Sequence, residues 1–164
     1  MAAGLSLEKE NIPALRKRLN ALAELSTEQL TPKVMIDVPM PLSYVTPKLI
    51  GQLDLLEPFG CGNPKPVFAQ KEVLVKKIIY IGKQKSFLKL ILETPGTVIS
   101  EGLYFGDSAA FETFVREEFA DGVWDDLLRG MGRPISLSFT YYPQMNEFRG
   151  KKQMQIIITG YCKS

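Results

Sequence analysis

Leu56-Glu57-Pro58-Phe59-Gly60-Cys61-Gly62-Asn63-Pro64-Lys65-Pro66-Val67-Phe68 is the stretch that divides this chain. Pro58, Gly60, Gly62 and Pro64 fall within seven residues, between a helical pattern and a strand pattern. Proline fixes φ and removes a donor, glycine opens φ, and together they stop regular structure on both sides. The stretch therefore joins two bodies. Downstream of it the apolar period becomes that of strands. Val67 to Ile81 is rich in β-branched residues with lysines interspersed, and Gly82-Lys83-Gln84-Lys85 reads as a turn. From Phe87 to Leu92 the chain alternates: Leu88, Leu90 and Leu92 face one way, Phe87, Lys89 and Ile91 the other.

Further along, Thr94-Pro95-Gly96 turns the chain and Thr97 to Phe105 is a third strand candidate. Ser108 is placed to cap a helix containing Phe111, Phe114, Val115 and Phe119. Gly122 interrupts that helix, and Val123 to Leu128 suits another turn or two. Pro134 opens a strand in which Ile135, Leu137, Phe139 and Tyr141 alternate with polar neighbours. A turn is expected around Pro143 to Gly150, and a last strand follows with Met154, Ile156 and Ile158 on one face. Three strands, a helix and two strands is the order of a five-stranded OB-fold barrel with a helix between strands 3 and 4. An SH3-like barrel is the nearest rival, and the long helical insert favours OB.

Upstream, Leu15, Leu19, Leu22 and Ala23 make one helix face that fades near Ser26 and Thr27. Val34 to Val38 is a short strand candidate ended by Pro39 and Pro41. Thr46-Pro47 is an N-cap followed by proline in the first helical position, with Leu49, Ile50, Leu53 and Leu56 as the apolar stripe. The expected fold class is α+β, mainly β. A short α/β segment (1–57) leads through a Pro/Gly-rich junction (58–66) into the barrel (67–164).

The 164 residues are 45% hydrophobic and 23% charged, the balance of an ordinary globular protein. No apolar run reaches the ~20 residues of a membrane span, and Met1-Ala2-Ala3-Gly4 lacks a secretory signal's basic start and apolar core. Cys61 and Cys162 stand far apart and read as free thiols, so a cytoplasmic setting without a membrane is expected. The chain has no histidine, which excludes Ser-His-Asp and Cys-His catalysis and any histidine metal site.

The net charge of +2 conceals segregation. Residues 65–92 carry a net of +6, residues 93–128 a net of −8 and residues 129–164 a net of +5. Basic blocks that meet in space make a polarised surface. Lys76, Lys77, Tyr80, Lys83, Lys85, Phe87 and Lys89 on the first two strands, with Arg149, Lys151 and Lys152 on the last hairpin, combine cations for phosphates with aromatics for bases. They are the candidate DNA-binding residues, and Phe148 and Tyr142 lie near them in the sequence. The plainer alternative is a set of solvated lysines that protect strand edges. Glu117, Glu118, Asp121, Asp125 and Asp126 suggest a metal site only superficially, because such a helical run is ordinarily a solvated face. Gly60-x-Gly62 is not followed by Gly-Lys-Ser/Thr or a helix, so it reads as a turn and not as a phosphate loop.

The junction's Leu-Glu-Pro-Phe-Gly-x-Gly-Asn-Pro-x-Pro-x-Phe resembles the segment leading into the C-terminal domain of the RecJ family of single-stranded-DNA-specific exonucleases. Met1-Ala2-Ala3-Gly4-Leu5-Ser6-Leu7-Glu8 resembles the continuation of that family's Gly-Gly-His motif in the DHHA1 lobe, and Asn146-Glu147-Phe148-Arg149-Gly150 with Gln155-Ile156-Ile157-Ile158 resembles its last OB hairpin. The resemblance implies a 5′-to-3′ exonuclease of DNA repair and recombination, using Mn2+ or Mg2+ held by a DHH core. No motif of that core occurs here. By this resemblance the chain is a C-terminal fragment, the end of the DHHA1 lobe plus the OB domain. It is expected to lack catalytic residues, metal and cofactor, and to hold and guide single-stranded DNA toward the missing core of the same protein. A single-strand-binding protein is a further expected partner, and a rival reading makes the barrel a recruitment module for such a partner's acidic tail. A second rival builds a metal-dependent nuclease on the acidic helix.

Overall fold

The computed structural model describes residues 4–30, 33–94, 101–148 and 150–164. They divide into two compact units, Met1–Val34 and Met35–Ser164. In the first unit, helix α1 (Ile12–Leu22) starts at Asn11 with Pro13 in its first turn. None of its residues is buried, and Leu19 and Leu22 are exposed. Where the sequence suggests only a fading helix, Ser26 starts a second one, α2 (Thr27–Leu30). The Ser26 hydroxyl accepts from the Gln29 N–H at 3.3 Å while the Gln29 side-chain oxygen accepts from the Ser26 N–H at 2.9 Å. This reciprocal capping box satisfies two donors that a helix start leaves open.

The second unit opens with β1 (Val38–Pro39), shorter than the expected Val34–Val38 strand. Only Val38 and Pro39 find partners, parallel to Phe68 and Ala69, while the Asp37 carboxylate takes the Val67 N–H at 2.8 Å. An edge position tolerates the missing N–H of Pro39. Helix α3 (Pro47–Asp54) is capped as its sequence requires: the Thr46 hydroxyl accepts from the Leu49 N–H at 3.1 Å. It buries Ile50 and Leu53 in the same core as Leu42 and Val45. Leu56, beyond the helix, is exposed.

Five strands close a ring. β2 (Phe68–Ile81), β3 (Phe87–Glu93) and β4 (Glu101–Tyr104) pair as an antiparallel meander. β5 (Ile135–Phe148) and β6 (Lys151–Lys163) pair with each other. β4 then lies parallel to β6, and β5 returns antiparallel to β2. β1 adds a sixth strand beside β2. β2 serves two neighbours, bending through register shifts after Gln70 and after Val75. Bulges of this kind let one strand turn a corner. The expected order of three strands, helical insert and two strands is present, and the sheet as a whole has six strands. Leu88, Leu90 and Leu92 are buried as their alternation requires, with Val73, Val75, Ile78, Leu137, Ile156 and Ile158.

Between β4 and β5 the insert forms two helices, α4 (Ser108–Glu118) and α5 (Val123–Arg129). Asp107, and not Ser108, is the cap: its carboxylate accepts the Ala109 and Ala110 N–H groups at 2.9 and 3.1 Å. Phe111 and Trp124 are buried and meet Tyr104, Tyr161 and Tyr80 edge-on or tilted. The expected turn from Pro143 is a strand instead, because β5 runs on to Phe148 with Pro143 opposite Ile156. β2 pairs with β5 no further than Tyr141, so Pro143 sits where one side of β5 has no neighbour to demand its N–H. Cys61 and Cys162 are free and exposed. Pro95, Gly96 and the first residues of the Thr97–Phe105 strand lie outside the described residues.

Candidate nucleic-acid interface

The outward face of the ring can be read from its registers. Ile79 stands beside Lys89, Lys89 beside Leu103, Leu103 beside Ile157 and Ile157 beside Tyr142. One row therefore crosses β2, β3, β4 and β6 on the side opposite the buried leucines and ends on β5 at Tyr142, which is itself buried against Phe59. Next to it, where β2 turns into β3, Phe87 and Phe105 meet edge to face with centroids 5.2 Å apart at 72°. Phe87 is 36% and Phe105 49% exposed. Large aromatics so exposed offer ring faces to a ligand.

The turn beneath them holds two lysines. The Lys85 N–H donates to the Gly82 carbonyl at 3.1 Å. Gly82 has φ +87°, and a Cβ there would stand 3.3 Å from the Phe87 ring, so glycine permits both the turn and the ring's seat. Lys83 and Lys85 are exposed and make no ion pair among the described residues. At mid-face the balance differs. Lys89 pairs with Glu101 at 2.9 Å and Lys76 with Glu93 at 2.7 Å, so the local charge there is offset. At the other end, the β5–β6 hairpin runs past Glu101, because Ile156 already lies beside Gly102. Lys152 is exposed near its tip. Arg149 and the side chains of Phe148 and Lys151 lie outside the described residues.

Two of the sequence candidates point elsewhere. The Tyr80 ring meets Trp124 at 6.2 Å and its hydroxyl donates to Glu112 at 3.1 Å. Burial, then the Glu112 carboxylate, raises its pKa. The stem of Lys77 runs beside Gly130, where an added Cβ would lie 3.0 Å from it. Gly130 ends α5 in the left-handed conformation, so Lys77 covers a helix C-terminus. The structure thus groups Lys83, Lys85, Phe87 and Lys89, and sets Tyr80 and Lys77 under the helices. Phe105 joins the group and was absent from the sequence candidates. The signal was available: continuing the alternation past Leu103 puts Phe105 outward and Tyr104 inward.

Of the acidic block, Glu112, Glu117, Glu118, Asp125 and Asp126 lie on α4 and α5, where Arg116 pairs with Glu112 at 2.8 Å and with Asp125 at 3.3 Å. Among the described residues no group of three or more Cys, Asp or Glu could hold a metal ion, and no helix is long and apolar enough to cross a membrane. Near the junction, the Lys65 ammonium lies 5.6 Å from the Phe59 ring centroid and 4.8 Å from that of Tyr142.

A five-stranded ring with a parallel closure between its third and fifth strands, and helices between its third and fourth, defines an OB-type domain. The chain belongs to the RecJ family: residues 36–160 match the RecJ OB domain. It is 33% identical over 160 residues to the single-stranded-DNA-specific exonuclease RecJ of Bacillus subtilis, covering 96% of this chain and 18% of that protein. It is 30% identical over 164 residues to RecJ of Escherichia coli, covering 96% of this chain and 24% of that one. Crystal structures of Thermus thermophilus RecJ with Mn2+ and with Mg2+ superpose at a TM-score of 0.59. The Mn2+ structure shares 16% identity, covering 97% of this chain and 20% of that one, a likeness of fold. The chain thus spans roughly a fifth of the length of these relatives.

Proposed function

We propose that this chain is the single-stranded-DNA binding and guiding module of a RecJ-like 5′-to-3′ exonuclease acting in DNA repair and recombination in the cytoplasm. Residues 1–57 then form the end of a DHHA1-like lobe, 58–66 the junction and 67–164 the binding domain. Hydrolysis, and the Mn2+ or Mg2+ it needs, belongs to a DHH core outside this span. The observation that carries the reading is the exposed Phe87–Phe105 pair beside Lys83 and Lys85, which make no ion pair among the described residues. Stacking on aromatics together with cations along the backbone is how OB domains hold single strands. Lys152 extends the cationic track, with Lys151 and Arg149 next to it in the sequence, while Lys89 is paired with Glu101.

Fluorescence anisotropy of a labelled oligothymidylate, titrated with the chain across salt concentrations, tests this. Affinity should fall with salt, and Lys83→Ala/Lys85→Ala should flatten the log–log slope by roughly 1 to 2. No affinity at low salt, with binding of an acidic peptide instead, would replace DNA by the recruitment reading.

A further inference from the structure

The outer row of the ring does not stop at β4. It passes through Ile157 to Tyr142, and there it meets a notch of about 120 Å³ beside the junction. We infer that this notch, lined by Lys65, Pro66, Val67, Tyr142, Gln144 and Ile157, is a second nucleotide subsite, taking a base of the same single strand with Lys65 on its phosphate. The inference rests on the single-strand reading above.

Four observations carry it. The size is of the order of one flat ring system and too little for a folded segment. The chemistry is amphipathic: Pro66, Val67 and Ile157 supply apolar walls, and the Gln144 side chain has no hydrogen-bond partner among the described residues. The other polar groups nearby are already used, since Thr159 and Thr140 bond each other at 3.0 Å and the Tyr141 hydroxyl donates to the Met40 carbonyl at 2.7 Å. The charge is suitable as well. Lys65 is exposed, leans on two rings and has no carboxylate partner among the described residues.

The hydrogen bonds that hold the junction's turn do not involve Lys65. The Asn63 amide donates to the Leu56 and Pro58 carbonyls at 2.7 and 3.1 Å, and Gly60 and Asn63 exchange backbone bonds at 2.8 and 3.2 Å. Asp54 and Glu57 act on Tyr142 strongly enough, after burial, to raise its pKa.

The test compares Lys65→Gln and Gln144→Ala with the unaltered chain, using oligothymidylates of about 4 and about 12 nucleotides, within the span of OB-domain site sizes. The long strand should bind about threefold to tenfold more weakly to each variant, and the short strand equally well to all. A long strand carrying 5-iodouracil should crosslink, under light, to peptides containing Val67 or Gln144. Long-strand binding unchanged in both variants, without those crosslinks, overturns the notch and leaves the Phe87–Phe105 reading standing. Loss of both lengths alike in the variants overturns it too, as a general effect on the fold. No binding of either length to the unaltered chain removes the single-strand reading itself. An acidic peptide that binds the chain and loses affinity in Lys65→Gln would assign the notch to a protein partner.

Discussion

Phe87 and Phe105 stand apart from the other aromatics of the ring because, among the described residues, each has only the other as a ring partner. Phe111, Trp124 and Tyr141 are buried, and Tyr104 and Tyr161 stack on Phe111. Alanine at either exposed ring should weaken oligothymidylate binding by about tenfold, the scale of one base–aromatic stack, with a loss of stability of only about 1 kcal/mol from the broken ring pair. Anisotropy and a thermal melt on the same samples check this. Tyr80→Phe should leave affinity unchanged, since its hydroxyl serves Glu112. The outward placement of Phe87 and Lys89 was legible from period-two alternation. The Lys89–Glu101 and Lys76–Glu93 pairs were not, because each joins residues whose proximity depends on strand register. Tyr80 misled for a related reason: a tyrosine among lysines on a strand carries no mark of the helix that will cover it.

At the level of elements, the helical insert holds the ring's interior together. Trp124 is 2% exposed and contacts both Tyr80 and Phe111. Trp124→Ala should cost about 3–5 kcal/mol, as large-to-small changes in a core do. Asp107→Ala should cost about 1 kcal/mol by removing an N-cap. Urea unfolding followed by circular dichroism separates the two by their midpoints. The order of strands and helices was readable because each carries a clean period or a capping signal. Boundaries were harder. Asp107 and Ser108 are both good caps, and only the backbone decides which faces the open N–H groups. Pro143 reads as a turn, yet the part of β5 where it falls has one free side.

For the whole molecule, the alternating charge blocks resolve into distinct places. Much of the acidic block lies on α4 and α5, with Glu93 and Glu101 on β3 and β4, while Lys83, Lys85 and Lys152, which make no ion pair among the described residues, lie at the turn and hairpin. Net charge by segment was plain in the sequence, but which lysines stay unpaired follows from the ring's closure. That closure also sets an alkaline limit. Burial pushes the Tyr161 phenol from 10.0 up to about 12, aided by Tyr104 and Asp107, and drives Tyr141 higher still. The folded state therefore keeps protons that the unfolded chain gives up. Their stabilisation is complete below pH 10 and declines as the pH rises through about 12 for Tyr161. Thermal melts across that window should show the decline, and Tyr161→Phe should make it shallower. The central claim is that the β3–β4 face, with its turn and hairpin, holds single-stranded DNA. An NMR titration of the isotope-labelled chain with oligothymidylate tests it most directly. Amide shifts at 83–89, 103–105 and the neighbourhood of Lys152, joined for a long strand by 65–67 and 142–144, are the expected result. Shifts centred on α4 and α5, or none at low salt, would contradict it.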